Sequence, residues 1–463
     1  MNRRRHKPKL CAAHVAPPPV APPALAVAVP LLLRLEREVE DEFRPKMLAQ
    51  LTAKVAAVDA TLAGTAARCG ECTCAMKARG RKASSLITRF GTLPLRPATY
   101  RCPRCGRHTR PLMERLGAEA GRVAGGLARL LALLGVVVPY EMAAKLAHLF
   151  FGTTVCAMTV WRCVQRLGEA CEQYVEQQAR FCADPHQDPT AAGAGPAAVV
   201  LGVDGSMLGM QVRTTRRRRQ GDQPLPPLPP VEEGQFREVK TGVLLLPAER
   251  LEPTPGRHSV VRRALCTVLG EADRIFERLW AKLCELGWLG SDTVVVVVGD
   301  GAEWIWNRAS MFPRRCEILD FWHAVEYAWD YARLRYGDES TQATRWMKRV
   351  ADDLRAGKVA GVLTRLRAMT PATDEQREAL AAVIKYYDDN RARMRYDEYL
   401  RLGYGIGSGA VESAHKQVVQ ARMRQAGMRW SEDGARRLLA LRVLLLNDQW
   451  SLLDRLTMPR LAA

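Results

Sequence analysis

Three acidic residues lie where carboxylates can act on a phosphodiester. Asp204 follows an apolar, strand-like run at 199–203, and Asp300 closely follows a run of five valines within 293–298. Glu412 lies near the start of a predicted helix. Carboxylates at the ends of adjacent central strands meet at the functional edge of an α/β sheet. Such oxygen ligands select Mg²⁺ or Mn²⁺, and two ions about 3.5–4 Å apart can activate water or a 3′-hydroxyl and stabilise the leaving oxygen.

Each acid taken alone has an ordinary structural explanation. Both aspartates precede a glycine, a pair that is typical of a plain turn after a strand. Glu412 could interact with the helix dipole or pair with Lys416 one turn on. Two strand-terminal acids and one helix acid in a strongly basic chain nevertheless favour a catalytic metal site.

The motif Asp320-Phe-Trp-His323 follows the next short strand, at 317–319. We expect Asp320 near the metal edge of the sheet, with His323 one turn along the following helix. A histidine there could contact the scissile phosphate or shuttle a proton, and Trp322 or Trp329 could stack on a displaced base. The alternative is an aspartate that caps the helix and a histidine in the core.

Four cysteines form two Cys-x-x-Cys pairs with the spacing of a structural zinc site. They are Cys69, Cys72, Cys102 and Cys105. The basic, strand-like sequence between the two cysteine pairs predicts the hairpin of a zinc ribbon. Cys74 could compete for a place in the first pair, and a set of unligated buried cysteines is the alternative to zinc. Four sulfur ligands would leave no open position for chemistry.

A basic helix is predicted from about residue 411, after a glycine turn at 405–409. It has four cations and no acid over residues 413–430. These cations are Lys416, Arg422, Arg424 and Arg429. We expect them to contact DNA phosphates near the scissile bond, and the alternative is a solvated helix face.

The rest of the sequence divides into segments that must position these residues. We predict a disordered basic, proline-rich arm at 1–30, a helix at 31–65, the ribbon at 66–110 and a helical domain at 111–190. An α/β core is predicted at 199–320, with a disordered Arg/Pro loop at 213–234, strands at 199–203 and 238–246, and a helix over about 260–286. A helical insertion at 321–404, the rest of the core at 405–450 and a tail at 451–463 complete the chain.

The helical domain contains a pattern typical of a helix-turn-helix. Two predicted helices, at 140–149 and 156–167, flank a short turn at Gly152. We expect Val160, Trp161, Val164 and Leu167 on the inner face of the second helix. Arg162, Gln165 and Arg166 should face out. An ordinary helical hairpin is the alternative.

Composition excludes several classes of protein. The chain has 463 residues with 69 Lys and Arg against 49 Asp and Glu, a formal net charge of +20. That excess favours a nucleic-acid partner over an acidic membrane, and a hydrophobic fraction of 48% excludes a mainly disordered chain. Thirteen cysteines are too few for a disulfide scaffold and suit a reducing cytosol. Prolines interrupt the apolar stretch at 24–33, so we expect neither export nor a membrane span.

Several of these motifs resemble those of a known family. The segment Gly407-Ser-Gly-Ala-Val-Glu-Ser413 resembles the third-acid motif of DDE transposases from bacterial insertion sequences. Other motifs, in the same order, resemble the ISKra group over about residues 66–450. They are the cysteine ribbon with Met76 and Phe90-Gly91, Asp204-Gly205, Gly299-Asp-Gly301 with Trp304, Leu319-Asp-Phe-Trp-His323, Lys416-Gln-Val-Val419, Gly427-Met-Arg-Trp430, Leu441-Arg-Val and Asn447.

The resemblance implies a ribonuclease-H-like core with Asp204, Asp300 and Glu412 as the catalytic triad, and an all-helical insertion between the last two. It also implies roles for Asp320 and His323. The Arg/Pro segment lies inside what should be a β-hairpin. The implied partner is double-stranded DNA, both terminal inverted repeats and target, bound by at least a dimer in the bacterial cytoplasm near the nucleoid.

The sequence therefore predicts a transposase that hydrolyses a phosphodiester at each element end and joins the freed 3′-hydroxyls to target DNA. Two alternatives stay open. One is a non-catalytic DNA-binding protein such as a repressor, and the other is a structure-selective nuclease on the same core.

Overall fold

The structure is a computed structural model that describes residues 30–63, 67–118, 122–182, 195–211, 235–254, 257–260 and 262–457. Residues 1–29 of the predicted arm and the whole predicted Arg/Pro loop at 213–234 lie outside these ranges. No helix among the described residues is long and apolar enough to cross a lipid bilayer.

The N-terminal part is a long helix packed on a small β-structure. The elements are α1 (Leu31–Ala63), β1 (Lys77–Arg81), β2 (Ser84–Thr88), β3 (Gly91–Leu95), β4 (Ala98–Arg101), β5 (His108–Thr109) and α2 (Pro111–Arg115). Strands β2 and β3 form a hairpin, while β4 pairs with β1 and β5. Val55 of α1 shares a small core with Leu86 and Leu93 of the hairpin. The predicted helix and the strand-like run near residue 85 are both present.

Three helices follow, as the sequence predicts: α3 (Gly125–Val137), α4 (Tyr140–Phe151) and α5 (Ala157–Cys182). Two residues of α5 are placed differently from the prediction, since the sequence predicts Trp161 on the inner face and Gln165 on the outer face. Trp161 is 39% exposed and Gln165 only 7% exposed, while Cys163 is buried beside Val160. A stripe at 160, 163, 164 and 167 follows the 3.6-residue period of a helix, which turns residue 161 towards solvent.

A five-stranded mixed sheet forms the centre of the molecule. Its strands are β6 (Ala198–Gly209), β7 (Phe236–Leu245), β10 (Arg263–Leu269), β11 (Val294–Gly299) and β12 (Arg315–Leu319), in the spatial order β10-β7-β6-β11-β12. Strands β6, β7 and β10 form an antiparallel meander, and β11 runs parallel to β6 and to β12. The valine run of β11 is almost wholly buried, as expected for a central strand.

The helix predicted over 260–286 is wrong in its first third. Strands β8 (Arg250–Thr254) and β9 (Arg257–Val260) precede that region, β10 occupies it, and α6 (Ala272–Glu285) begins only after Gly270. Seven residues of β10 pair with β7, from Arg263 opposite Leu245 to Leu269 opposite Val239. This long-range pairing overrides a local sequence that is compatible with a helix.

The predicted helical insertion and the C-terminal helices are present. They comprise α7 (Glu303–Ala309), α8 (Phe321–Tyr336), α9 (Thr341–Arg355), α10 (Val359–Arg367), α11 (Asp374–Asn390), α12 (Tyr396–Arg401), α13 (Gly409–His415), a π-helical turn (Lys416–Gln420), α14 (Ala421–Met423), α15 (Glu432–Leu446) and α16 (Leu452–Thr457). The predicted tail includes α16, whose Leu453 is fully buried. Helices α3, α5 and α15 share one hydrophobic core with the sheet.

Candidate active site

Strand register aligns three aspartates across the sheet. Asp300 and Asp320 directly follow β11 and β12, whereas Asp204 lies within β6 and not at the strand end that the sequence predicts, because β6 stays paired with β7 as far as Gly209. Val298 of β11 pairs with Gly202 of β6, and Gly299 pairs with Leu319 of β12. Because both pairings are parallel, the next residues bring Asp300 beside Asp204 on one side and beside Asp320 on the other. The Asp320 N–H donates to the Gly299 carbonyl at 2.7 Å, which holds that register to the strand ends.

Asp204 lies in a polar, half-buried setting made by β7 and α13. Its Oδ1 accepts the Gly205 N–H at 2.6 Å, and its Oδ2 lies 3.4 Å from Nε2 of His415. Nδ1 of the same histidine is 3.3 Å from the Thr241 hydroxyl. Burial raises the pKa of Asp204, and the nearby Asp300 charge raises it further, while His415 opposes the shift. A bound cation would stabilise the ionised form of both acids.

His415 is a site residue that the sequence interpretation missed. It is buried, and burial lowers the pKa of its imidazole, so the ring is neutral at neutral pH. It lies three residues after Glu412, close to one helical turn, and that spacing was a signal available in the sequence.

The turn after Asp300 is fixed by a tyrosine from the insertion. Asp300 Oδ1 accepts the Ala302 N–H at 3.0 Å, and its carbonyl accepts the Tyr386 hydroxyl at 2.5 Å. Gly301 has φ +98°, and a Cβ there would lie 2.9 Å from the Tyr386 ring. Only glycine fits this backbone and this contact. Tyr386 is 86 residues away along the chain, so local sequence gives no sign of the contact.

Asp320 is a helix cap, which is the alternative left open by its sequence. Its Oδ1 accepts the N–H groups of Trp322 and His323 at the start of α8, and its Oδ2 accepts the Ser408 N–H. The side chain is 0% exposed. Burial would raise the pKa of this carboxyl, but His323 and the N–H donors hold it below its usual value. With three donors and no exposed surface, Asp320 holds the start of α8 and Ser408 in place, and its catalytic role stays a prediction.

His323 is the charged histidine of the site. Its Nδ1 lies 3.7 Å from Asp320 Oδ2, and its side chain is 34% exposed. The Asp320 carboxylate raises the pKa of His323 to about 9, with a smaller contribution from Asp300. The imidazole is therefore a cation at neutral pH beside the acidic edge, where it can attract a phosphate.

Helix α13 carries Glu412 across this edge. At the start of the helix, the Ser408 hydroxyl donates to Glu412 Oε1 at 3.2 Å, and the Ser408 N–H binds Asp320. At its end, His415 contacts Asp204. Asp300 lies between those two aspartates in the sheet, and Glu412 is exposed on the helix that links them.

The three predicted metal ligands are spread more widely than ligands of one ion. Among the described residues, only the four cysteines form a group of three or more such ligands within 4.8 Å of one another. Two ions about 4 Å apart, each about 2.1 Å from its oxygens, can be spanned by carboxylates up to about 8 Å apart. A site for a pair of hard cations stays a prediction for these three acids.

The basic segment after α13 divides into exposed and buried cations. Lys416, Arg424 and Arg429 are exposed, and Arg424 Nη1 lies 3.1 Å from the Ser206 hydroxyl, close to Asp204 in β6. Arg422, predicted to contact phosphate, is only 1% exposed. Its Nε donates to the Gly135 carbonyl at 3.0 Å, and its guanidinium lies over Tyr140. It satisfies an orphan carbonyl at the end of α3 and does not reach solvent.

Because Arg422 is buried and Arg424 is exposed, we expect one substitution to change stability and the other to change DNA binding. We expect Arg422→Ala to lower the free energy of unfolding by about 3 kcal/mol, because it leaves a cavity and an unpaired buried carbonyl. We expect Arg424→Ala to leave stability unchanged and to reduce the salt slope of DNA binding by about one. Urea unfolding and binding titrations at several salt concentrations measure both. Equal stability losses in the two variants would contradict this assignment.

The four cysteines lie on two turns with the same backbone design. The Thr73 N–H donates to the Cys69 carbonyl and the Gly106 N–H to the Cys102 carbonyl. Thr73 and Gly106 both have positive φ, 54° and 76°. When Cys69 is aligned with Cys102, Cys72 aligns with Cys105 and Cys74 aligns with Arg107. Arginine is not a metal ligand.

The sulfur positions fit a tetrahedral zinc ion. The sulfurs of Cys69, Cys72, Cys102 and Cys105 all lie within 4.8 Å of one another. Those of Cys69 and Cys105 are 3.6 Å apart. Tetrahedral zinc with bonds of about 2.3 Å requires sulfurs about 3.8 Å apart. Cys74 approaches Cys102 at 3.3 Å but does not belong to the set of four.

Comparison with known proteins gives a match to one family model over part of the chain and no activity. Residues 255–451 match the model of a family described as Uncharacterised protein family (UPF0236). The matched segment contains Asp300, Asp320, His323 and Glu412. It does not contain Asp204 or the four cysteines of the candidate zinc site. The chain has no match among curated proteins.

Proposed function

We propose that the protein is a metal-dependent DNA transposase that cleaves at the ends of its element and joins the freed 3′-hydroxyls to target DNA. The observation that carries the proposal is the strand register that brings Asp204 and Asp300 side by side, together with the contact between Asp204 and His415 on the helix of Glu412. The net charge of +20 supports a nucleic-acid substrate.

The sheet topology supports a ribonuclease-H-like core. Such a core consists of an antiparallel meander extended by two strands parallel to its first strand, and the strand order β10-β7-β6-β11-β12 fits it. Asp204 then lies within the first strand of the core and Asp300 directly after the fourth, with the helical insertion between Asp300 and Glu412.

The chemistry assigns a separate task to each group. Asp204, Asp300 and Glu412 would hold Mg²⁺ or Mn²⁺, which when bound activates the attacking oxygen and stabilises the leaving one. His323, as a cation, attracts and orients the scissile phosphate. Asp320 fixes the ring of His323, and neutral His415 orients the carboxylate of Asp204. Lys416, Arg424 and Arg429 contact the flanking phosphates.

The test is incubation of the purified full chain with Mg²⁺ and duplexes that contain the DNA flanking its own gene. We expect cuts at the inverted repeats that leave 3′-hydroxyls, and then joined products with a target plasmid. Binding of the ends without any cutting would favour the repressor alternative. Cutting that ignores the repeats and yields no joined product would favour the nuclease.

The His323–Asp320 pair predicts a pH-dependent stability. The folded pKa of about 9 exceeds the ordinary value of about 6.5, so the pair stabilises the fold fully below pH 6.5 and progressively less up to pH 9. We expect His323→Gln to lower the melting temperature more at pH 6 than at pH 9.5. Thermal melts in EDTA measure this, with His148→Gln, on the exposed face of α4, as control. A pH-independent difference would contradict the pairing.

A further inference from the structure

We propose that a groove between α5 and the β2–β3 hairpin binds the backbone of double-stranded DNA. The groove has a volume of about 730 Å³ and is lined by β2, the segment after α2 and the first turns of α5. The inference rests on the proposed DNA-directed function, but it concerns a surface separate from the acidic edge.

One face of α5 supplies an aromatic side chain between cations. Trp161 and Arg162 are exposed, and Arg166, one turn on, is half-buried. Met158 is exposed on the same face. Residues spaced by three, four and eight positions share one side of a helix, so these side chains form a continuous surface.

Three arginines of the groove have no acidic partner. Among the described residues, no carboxylate lies within ion-pair distance of Arg122, Arg162 or Arg166, whereas Arg437 on the opposite wall pairs with Glu169 at 3.0 Å. Planar guanidinium groups bind phosphate oxygens in bidentate fashion. The groove is thus complementary in charge to a sugar-phosphate backbone.

The ribbon fixes the groove in one geometry. The Ile87 N–H of β2 donates to the Arg122 carbonyl at 2.7 Å, and the Ala124 N–H donates to the Ile87 carbonyl at 2.9 Å. The segment that bears Arg122 is therefore held against the hairpin, facing the arginines of α5. A surface that is rigid before binding loses less entropy when DNA binds.

The geometry favours duplex DNA over duplex RNA. The surface is a helix face, which the major groove of B-form DNA can admit. The major groove of A-form RNA is too deep and narrow for it. Trp161 lies where it can pack against a deoxyribose or a thymine methyl group, while Arg122, Arg162 and Arg166 contact phosphates.

The test uses the full chain with its zinc, in buffer without Mg²⁺ or a chelator, a labelled 30-bp DNA duplex and fluorescence polarisation at several salt concentrations. We expect Arg162→Ala with Arg166→Ala to weaken binding about tenfold and to lower the salt slope by about 1.8, the loss of two phosphate contacts. The matched control is Arg345→Ala with Arg349→Ala on α9, which removes the same charge from exposed arginines at the same spacing. We expect the control to bind nearly as the wild type does.

Three results would overturn the proposal: equal losses in both double variants, an unchanged salt slope, or equally tight binding of an RNA duplex. Arg162→Lys with Arg166→Lys, which keeps the charge, should retain the slope and shows that the helix tolerates substitution. Failure of the proposed catalytic function would give a different result from failure of the groove. If the groove is correct and the chemistry is not, the alanine variants lose DNA binding while the wild type with Mg²⁺ binds duplexes and cuts none.

Discussion

Asp300→Asn is expected to abolish DNA cleavage while leaving end binding intact. The substitution removes a charged metal ligand but keeps the size of the side chain and its bond to the Ala302 N–H. Loss of several kcal/mol of metal-assisted stabilisation corresponds to a rate reduction of about 1,000-fold or more. Strand cleavage with labelled ends in Mg²⁺ measures the rate, and gel shift in EDTA measures binding.

The matched control for Asp300 lies at the other end of the same strand. Asp292 precedes β11 and pairs with Arg314 at 3.2 Å on an exposed surface. We expect Asp292→Asn to cleave at the wild-type rate. If Asp300→Asn also cleaves at that rate, the triad assignment is wrong, whatever the effect on binding.

The sequence predicts the elements that have an unambiguous local pattern. A run of valines that is apolar at every position specifies a central strand, and long stretches without proline specify the helices of the insertion. Those two features place Asp300 at a strand end and Glu412 beyond the insertion. The parallel register that joins Asp204 to Asp300 follows only when the strands are seen to be neighbours.

The errors at β10 and at Arg422 have one physical cause, which is contacts between residues far apart in the chain. Strand β10 is stabilised by pairing with β7, and its outer edge is satisfied by Asn447, whose side chain bonds the N–H and carbonyl of Leu265. In the sequence, Arg422 looks like one more exposed cation of a basic helix. In the structure it binds the carbonyl of Gly135, which is 287 residues away. No local pattern encodes such pairs.

The π-helical turn at Lys416–Gln420 also depends on contacts with residues far away in the sequence. Arg442 of α15 donates to the carbonyls of Gln417 and Val418, which the wider turn frees, and to the carbonyl of Val136 at the end of α3. Two buried arginines, Arg422 and Arg442, therefore join the helix after Glu412 to the helical region that carries the proposed DNA groove. Such turns are frequent at functional sites.

Cys102→Ser is expected to remove the bound zinc, whereas Cys74→Ser should retain it. Cys102 belongs to the set of four sulfurs, while Cys74 corresponds to Arg107 of the second turn. Loss of one of four thiolates weakens zinc binding severely, and the two turns are then no longer joined through the metal.

The zinc content of the purified variants, measured by elemental analysis, checks this prediction. We expect one zinc per chain in the wild type and in Cys74→Ser, and close to none in Cys102→Ser. Because β2 holds the segment of Arg122, the zinc-free variant should also bind duplex DNA less tightly. Loss of zinc from Cys74→Ser as well would show that Cys74 is a ligand and that the correspondence of the two turns is wrong.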